Sequence, residues 1–162
     1  MKLKSMALAA ALTAIGSPAG AQGVVMVRDV SYDMALVMVQ TAIEHCRSLG
    51  FKIGVSVVDR GGHVLATLRD HGAAHHTIEL AQRKAYTSRV FRQSSKDFSQ
   101  RLRDNPISAG LGTTSGVVAT VGGLPIKVDE TIGGIGVSGA PGGQNDEACA
   151  QAGIAKVADQ LK

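Results

Sequence analysis

The sequence predicts a single mixed α/β domain in which helices cover a five-stranded antiparallel sheet. Three observations predict it. Apolar residues recur at helical spacing in separate segments, β-branched runs lie between those segments, and glycine-rich turns join the runs. Strands joined by tight turns pair antiparallel, and a sheet with one apolar face needs helices to cover it.

The helical spacing first runs over residues 31–49, with Ser31 as cap and Gly50 as stop. Residues 51–58 are rich in β-branched side chains. Asp59-Arg60-Gly61-Gly62 then supplies a tight turn into a partner strand over 63–69. A second helix is expected over 74–92, and the polar basic stretch up to Asn105-Pro106 adds a helical turn or two. Residues 115–121, 124–128 and 131–138 read as three short strands with glycine at their joints. The loop 139–143 leads into a last helix, capped by Asn145 and ending near Leu161.

The first residues have the pattern of an export signal. Lys2 and Lys4 precede an uncharged apolar run over 6–15, and Ala19-Gly20-Ala21 places small residues where a signal peptidase reads. Ten apolar residues cannot span a bilayer, which needs about 20, so no membrane span is expected. The expectation is a signal peptide over 1–21, one domain over 22–162, and a periplasmic or secreted protein. The excess of 17 basic over 13 acidic residues shrinks further when Lys2 and Lys4 are lost. It is too small to imply a nucleic-acid partner, and five scattered aromatics offer no platform for bases. Cys46 and Cys149 could pair in an oxidising compartment. Cys46 shares a stripe with Leu36, Val39 and Ile43, however, which suits a buried thiol, and the pair is expected to remain unbonded.

The run Gly134-Ile135-Gly136-Val137-Ser138-Gly139 fits the dinucleotide-binding pattern G-x-G-x-x-G. That pattern needs its glycines between a strand and a helix inside a βαβ unit. Here they lie within a strand, so they point to close backbone packing instead. The chain has no G-x-S-x-G, H-E-x-x-H or C-x-x-C. Asp146 and Glu147 diverge by about 100° on a helix and read as favourable charge at its N-terminus. A turnover enzyme is therefore the lesser expectation, and no catalytic residue is assigned.

All five histidines precede residue 80, and His71, His75 and His76 cluster where the second helix begins. The positive end of a helix dipole favours neutral imidazole, the form that ligates metals. His76, Leu80, Lys84, Thr87 and Phe91 then follow along one helical face. A metal ligand, apolar surface and a cation in one row suit a planar ligand with carboxylates, such as haem. Lys84 and Arg89 belong to a basic run from Arg83 to Arg103 that can rim anionic groups or meet acidic residues of a neighbouring subunit. Met34, Met38 and the hydroxyl of Thr113 are the alternative iron ligands.

With these segments placed, the chain resembles the GlcG/HbpS-like family of haem-binding proteins over nearly its whole mature length. The likeness is carried by Gly122-Gly123-Leu124-Pro125-Ile126, the run from Ile135 to Gly143, Asp146-Glu147, and 149–154. Val57-Val58-Asp59-Arg60-Gly61-Gly62 and Lys84-Ala85-Tyr86-Thr87 match upstream. The resemblance implies a three-layer α/β/α, profilin/roadblock-like domain, homo-oligomers, and binding of haem or a corrinoid. Two departures stand out: Arg69-Asp70-His71-Gly72-Ala73 replaces a methionine-containing stretch, and Asp129 replaces a common glycine. The histidine cluster thus has no counterpart in the family pattern.

The expected function is an exported haem- or tetrapyrrole-binding protein, acting as sensor, carrier or scavenger. Its expected site is His71, His75 and His76 for iron, with Lys84 and Arg89 for propionates or a small anionic ligand. The rival is an enzyme or accessory protein acting on haem or on a small hydroxy acid such as glycolate. A third reading is a structural protein whose glycine-rich strand packs in an oligomer.

Overall fold

The computed structural model describes residues 23–162; the expected signal segment lies outside the described residues. The order is α1 (Tyr32–Ser48), β1 (Gly54–Val58), β2 (Val64–Arg69), α2 (His76–Phe91), α3 (Ser95–Asp104), a 3₁₀ helix (Pro106–Thr113), β3 (Gly123–Lys127), β4 (Thr131–Ser138) and α4 (Gly143–Lys156), with a 3₁₀ turn at Ala158–Gln160. Ser31 caps α1 as expected, accepting a hydrogen bond from the Met34 amide.

The sheet is antiparallel with order β2-β1-β4-β3. It has four strands and not five. The missing one is the expected strand over 115–121, whose backbone groups find side chains of α2 instead of a neighbouring strand. The Val118 amide donates to Thr87 Oγ1 at 2.9 Å, and the Val117 carbonyl accepts from the Arg83 guanidinium at 3.2 Å. Val117 is buried all the same, so the β-branched signal reports burial there and not pairing.

Helix α2 packs over β4, β1 and β3, while α1 and α4 pack on each other and on the sheet. The glycines of β4 explain the first contact. A Cβ on Gly136 would lie 2.1 Å from the Ala81 carbonyl oxygen, and one on Gly134 would lie 2.3 Å from that of Ala85. The strand must therefore be bare where α2 crosses it. Ile135 and Val137 alternate with these glycines and join Met38, Val39, Cys149 and Val157 in the core. Each of these aliphatic or methionine side chains, fully buried, contributes about 1.5–3 kcal/mol.

The two cysteines are bonded, contrary to expectation. Both are fully buried, their Cα atoms lie 5.6 Å apart, and the bond joins α1 to α4 across 103 residues. Helical spacing showed that Cys46 faces the core, but not that α4 brings Cys149 to the same stripe. Asn145 does not cap α4 either. The helix begins two residues earlier, and the Asn145 side-chain amide donates to the Pro141 carbonyl at 2.6 Å.

Candidate functional site

Asp70 fixes the loop that carries His71. Its amide donates to Ile53 O and its carbonyl accepts from the Ala73 amide. Its buried carboxylate accepts from the His71 amide at 2.7 Å and from Arg47 at 2.7 and 3.2 Å. The Arg47 guanidinium, with the His71 amide and Lys52, holds the Asp70 carboxyl below the usual carboxylate range against the opposing effect of burial.

The three clustered histidines are all exposed, but they do not converge. His71 lines a depression with Arg47, Leu68 and Asp70. His75 occupies the N-cap position of α2 in a helical conformation and makes no capping bond with its side chain. His76 lines two adjoining depressions that also share Gly139. Among the described residues no group of three His, Cys, Asp or Glu side chains could hold a metal ion. A three-histidine metal centre is thus absent from this arrangement, and each imidazole could serve only as a single axial ligand.

The depressions on either side of His76 form the candidate site. One, of about 440 Å³, runs over Leu80, Val121, Ala140 and Gln144 down to Lys84 and Asp146. The other, of about 350 Å³, is bordered by Phe51, Lys52, Ala74 and Pro141. The glycine-rich loop after β4 brings Gly139, Ala140 and Pro141 to this place. Gly139 has φ +127, and a Cβ there would meet the Lys52 carbonyl oxygen at 2.6 Å; any larger residue would push the loop off the strand end.

Lys84 departs from its expected role as an accessible cation. It is only 3% exposed, and its Nζ donates to Asp146 Oδ2 and to the Val137 carbonyl, each at 2.8 Å. Asp146 is 4% exposed and also accepts from the Ala140 amide at 2.9 Å. Asp146 lies in the first turn of α4, as expected, and it is also half of a buried ion pair tying α4, α2 and β4 together. Burial pushes its carboxyl up, and the Lys84 ammonium opposes the shift. Lys84 therefore forms the floor of the site. Arg89 lies 13 residues beyond His76 on α2, about 20 Å along the axis, and lines a different pocket with Arg60, Arg92 and Lys127. It cannot hold the carboxylates of a haem whose iron sits on His76.

Among the alternative ligands, Met38 is fully buried in the core, Met34 packs against it, and Thr113 is exposed at the end of the 3₁₀ helix. Lys52, Phe51 and Pro141 were not legible as site residues. Nothing in their spacing links them to His76, and only the turn after β4 brings them together.

The residues around His76 fit a haem in their donor chemistry: an exposed imidazole, apolar side chains among polar ones on both sides, and the half-exposed Lys52 ammonium at one edge, 3.9 Å from Asp70.

A family model described as "Haem degrading protein HbpS-like" matches residues 30–155. The protein GlcG of Escherichia coli K12 is 30% identical over 115 residues, 67% of this chain and 81% of GlcG. The crystal structure of a double mutant of HbpS from Streptomyces reticuli superposes with a TM-score of 0.80 at 31% identity, covering 88% of this chain and 97% of that one. A structure of PduOC in complex with heme gives 0.68 at 28% identity, covering 78% and 93%.

Proposed function

The chain belongs to the HbpS-like family, and from that premise we propose that it is an exported haem-binding protein, a sensor, carrier or scavenger, with His76 as the axial ligand. The observation that carries this reading is the place of His76. It is the one histidine of the cluster that stands between two adjoining depressions with apolar borders. The heme complex of the similar PduOC supports the ligand class.

When bound, haem would supply a redox-active iron, and the His76 imidazole is the residue that would hold it. The chain's own part is to present that imidazole at the start of α2; Leu80, Val121, Phe51 and Pro141 would offer apolar contact, and Lys52 would offer a cation to an anionic group. The buried disulfide supports export, because such bonds persist in oxidising compartments. Export predicts a mature chain beginning near Gln22, measurable as intact mass. The glycine-rich strand and the family suggest a homo-oligomer, which light scattering reads.

A second reading, haem degradation, is favoured by the description of the matching family. Haem-loaded protein given oxygen and a reductant separates the two. A stable spectrum supports binding alone, and a steady loss of the haem absorbance supports turnover. Haemin titration of the wild type and of the His71→Ala, His75→Ala and His76→Ala variants tests the site; only the last should change the bound-iron spectrum.

A further inference from the structure

The far end of α2 carries a second site. Arg60, Arg89, Arg92 and Lys127 line one pocket of about 350 Å³ together with Asp129, Glu130 and Thr131. The two acids are already engaged: Glu130 accepts from Arg60 at 2.8 Å, and Asp129 accepts from Arg28. Arg89, Arg92 and Lys127 make no ion pair among the described residues. The nearest other acids, Asp29 and Asp59, are held by backbone amides of Val30, Arg60 and His63.

Two features show that this clustering is more than basic residues gathering at a helix C-terminus, where the dipole favours them. Arg89 Nε is buried without a hydrogen-bond partner, an arrangement that leaves a charged donor unsatisfied. Arg92 ends α2 with φ 57 and ψ 28, the left-handed conformation usually given to glycine or asparagine. It is the one residue other than glycine with positive φ among those described. A glycine would adopt that backbone more readily, so the position does not owe its arginine to backbone preference. Burial and the neighbouring Arg60 and Arg92 depress the Arg89 pKa, and the opposing pull of Asp29 and Asp59 does not offset them.

We propose that this pocket binds a small dianion with two or more acidic oxygens, a phosphate or a dicarboxylate, held between the forks of Arg89 and Arg92 and the ammonium of Lys127. Arginine forks match both oxyanions in bidentate geometry, and the lining keeps two positive charges after its acids are counted. The site is separate from the His76 groove, so it stands whether or not haem binds there.

Titration calorimetry of the purified protein at low salt, with inorganic phosphate and with succinate as separate probes, tests the proposal. Saturable binding of at least one is expected, and the tighter arm identifies the chemistry. Arg92→Gly should keep the fold, because glycine accepts the backbone conformation, and should weaken binding about tenfold. Lys127→Gln, on an exposed strand position, should weaken it in the same direction while leaving the haemin titration unchanged. Wild-type protein that binds neither probe overturns the proposal, as does undiminished binding in both variants. If the variants instead lose subunit association while small anions never bind, the pocket receives a partner's acidic side chains and the proposal fails.

Discussion

Lys84 and Asp146 decide most of what the site can be. Each is a charge removed from water, tolerable only because the other is 2.8 Å away and backbone groups complete their hydrogen bonding. Removing one partner strands the other: Asp146→Ala should cost about 3–5 kcal/mol in urea unfolding. Replacing both, as Lys84→Met with Asp146→Leu, should cost far less or nothing. A double variant as unstable as the single one would show that the pair is worth more than its desolvation. Asp70 gives a prediction with a pH sign. Its folded carboxyl titrates below its unfolded value, so its contribution is present above the ordinary carboxylate range and is lost as pH falls through the lowered value. Asp70→Asn should be less stable than wild type near neutral pH by about 1 kcal/mol, because Arg47 is half exposed and solvent screens the pair. The difference should shrink on acidification, and a constant difference would contradict the assignment. At this scale the sequence was least informative. Lys84 read as an accessible cation because its row through His76 and Leu80 was sound, while its partner lies 62 residues away.

At the level of elements, the glycines of β4 tie the strand to the helix that carries the site. Gly136→Ala would drive a methyl group into the Ala81 carbonyl, against backbone and not a movable side chain. The strain should destabilise the protein by about 1–3 kcal/mol and shift α2 with both His76 and Lys84. Haemin affinity should therefore fall along with stability; an unchanged urea midpoint would mean that α2 does not rest on the strand. The glycines were correctly separable from a dinucleotide loop, since a strand and not a helix contains them. Helices α1, α2 and α4 and strands β1, β2, β3 and β4 were likewise legible, because period and punctuation are local signals. The 115–121 segment was not, because an apolar β-branched run looks the same whether its amides meet a strand or the Thr87 hydroxyl.

For the molecule as a whole, the disulfide is the strongest single constraint. Cross-linking residues 103 apart removes much of the freedom of the unfolded chain. Reduced protein, or a Cys46→Ala, Cys149→Ala double variant, should lose about 2–5 kcal/mol of stability. Because both sulfurs are fully buried, reduction should be slow until the protein is partly unfolded. Pairing could not be read from the sequence, since it depends on how α1 and α4 meet. The candidate groove was half legible: the sequence put His76 at the start of α2, but not beside Phe51 and Lys52 before β1 or the loop after β4. If His76 holds the haem iron, as proposed, its removal must change the spectrum of the bound iron. The most direct test is an absorbance titration of wild-type and His76→Ala protein with haemin. A saturable shift is expected in the wild type, lost or altered in shape in the variant. Identical spectra and affinities in the two proteins would contradict it.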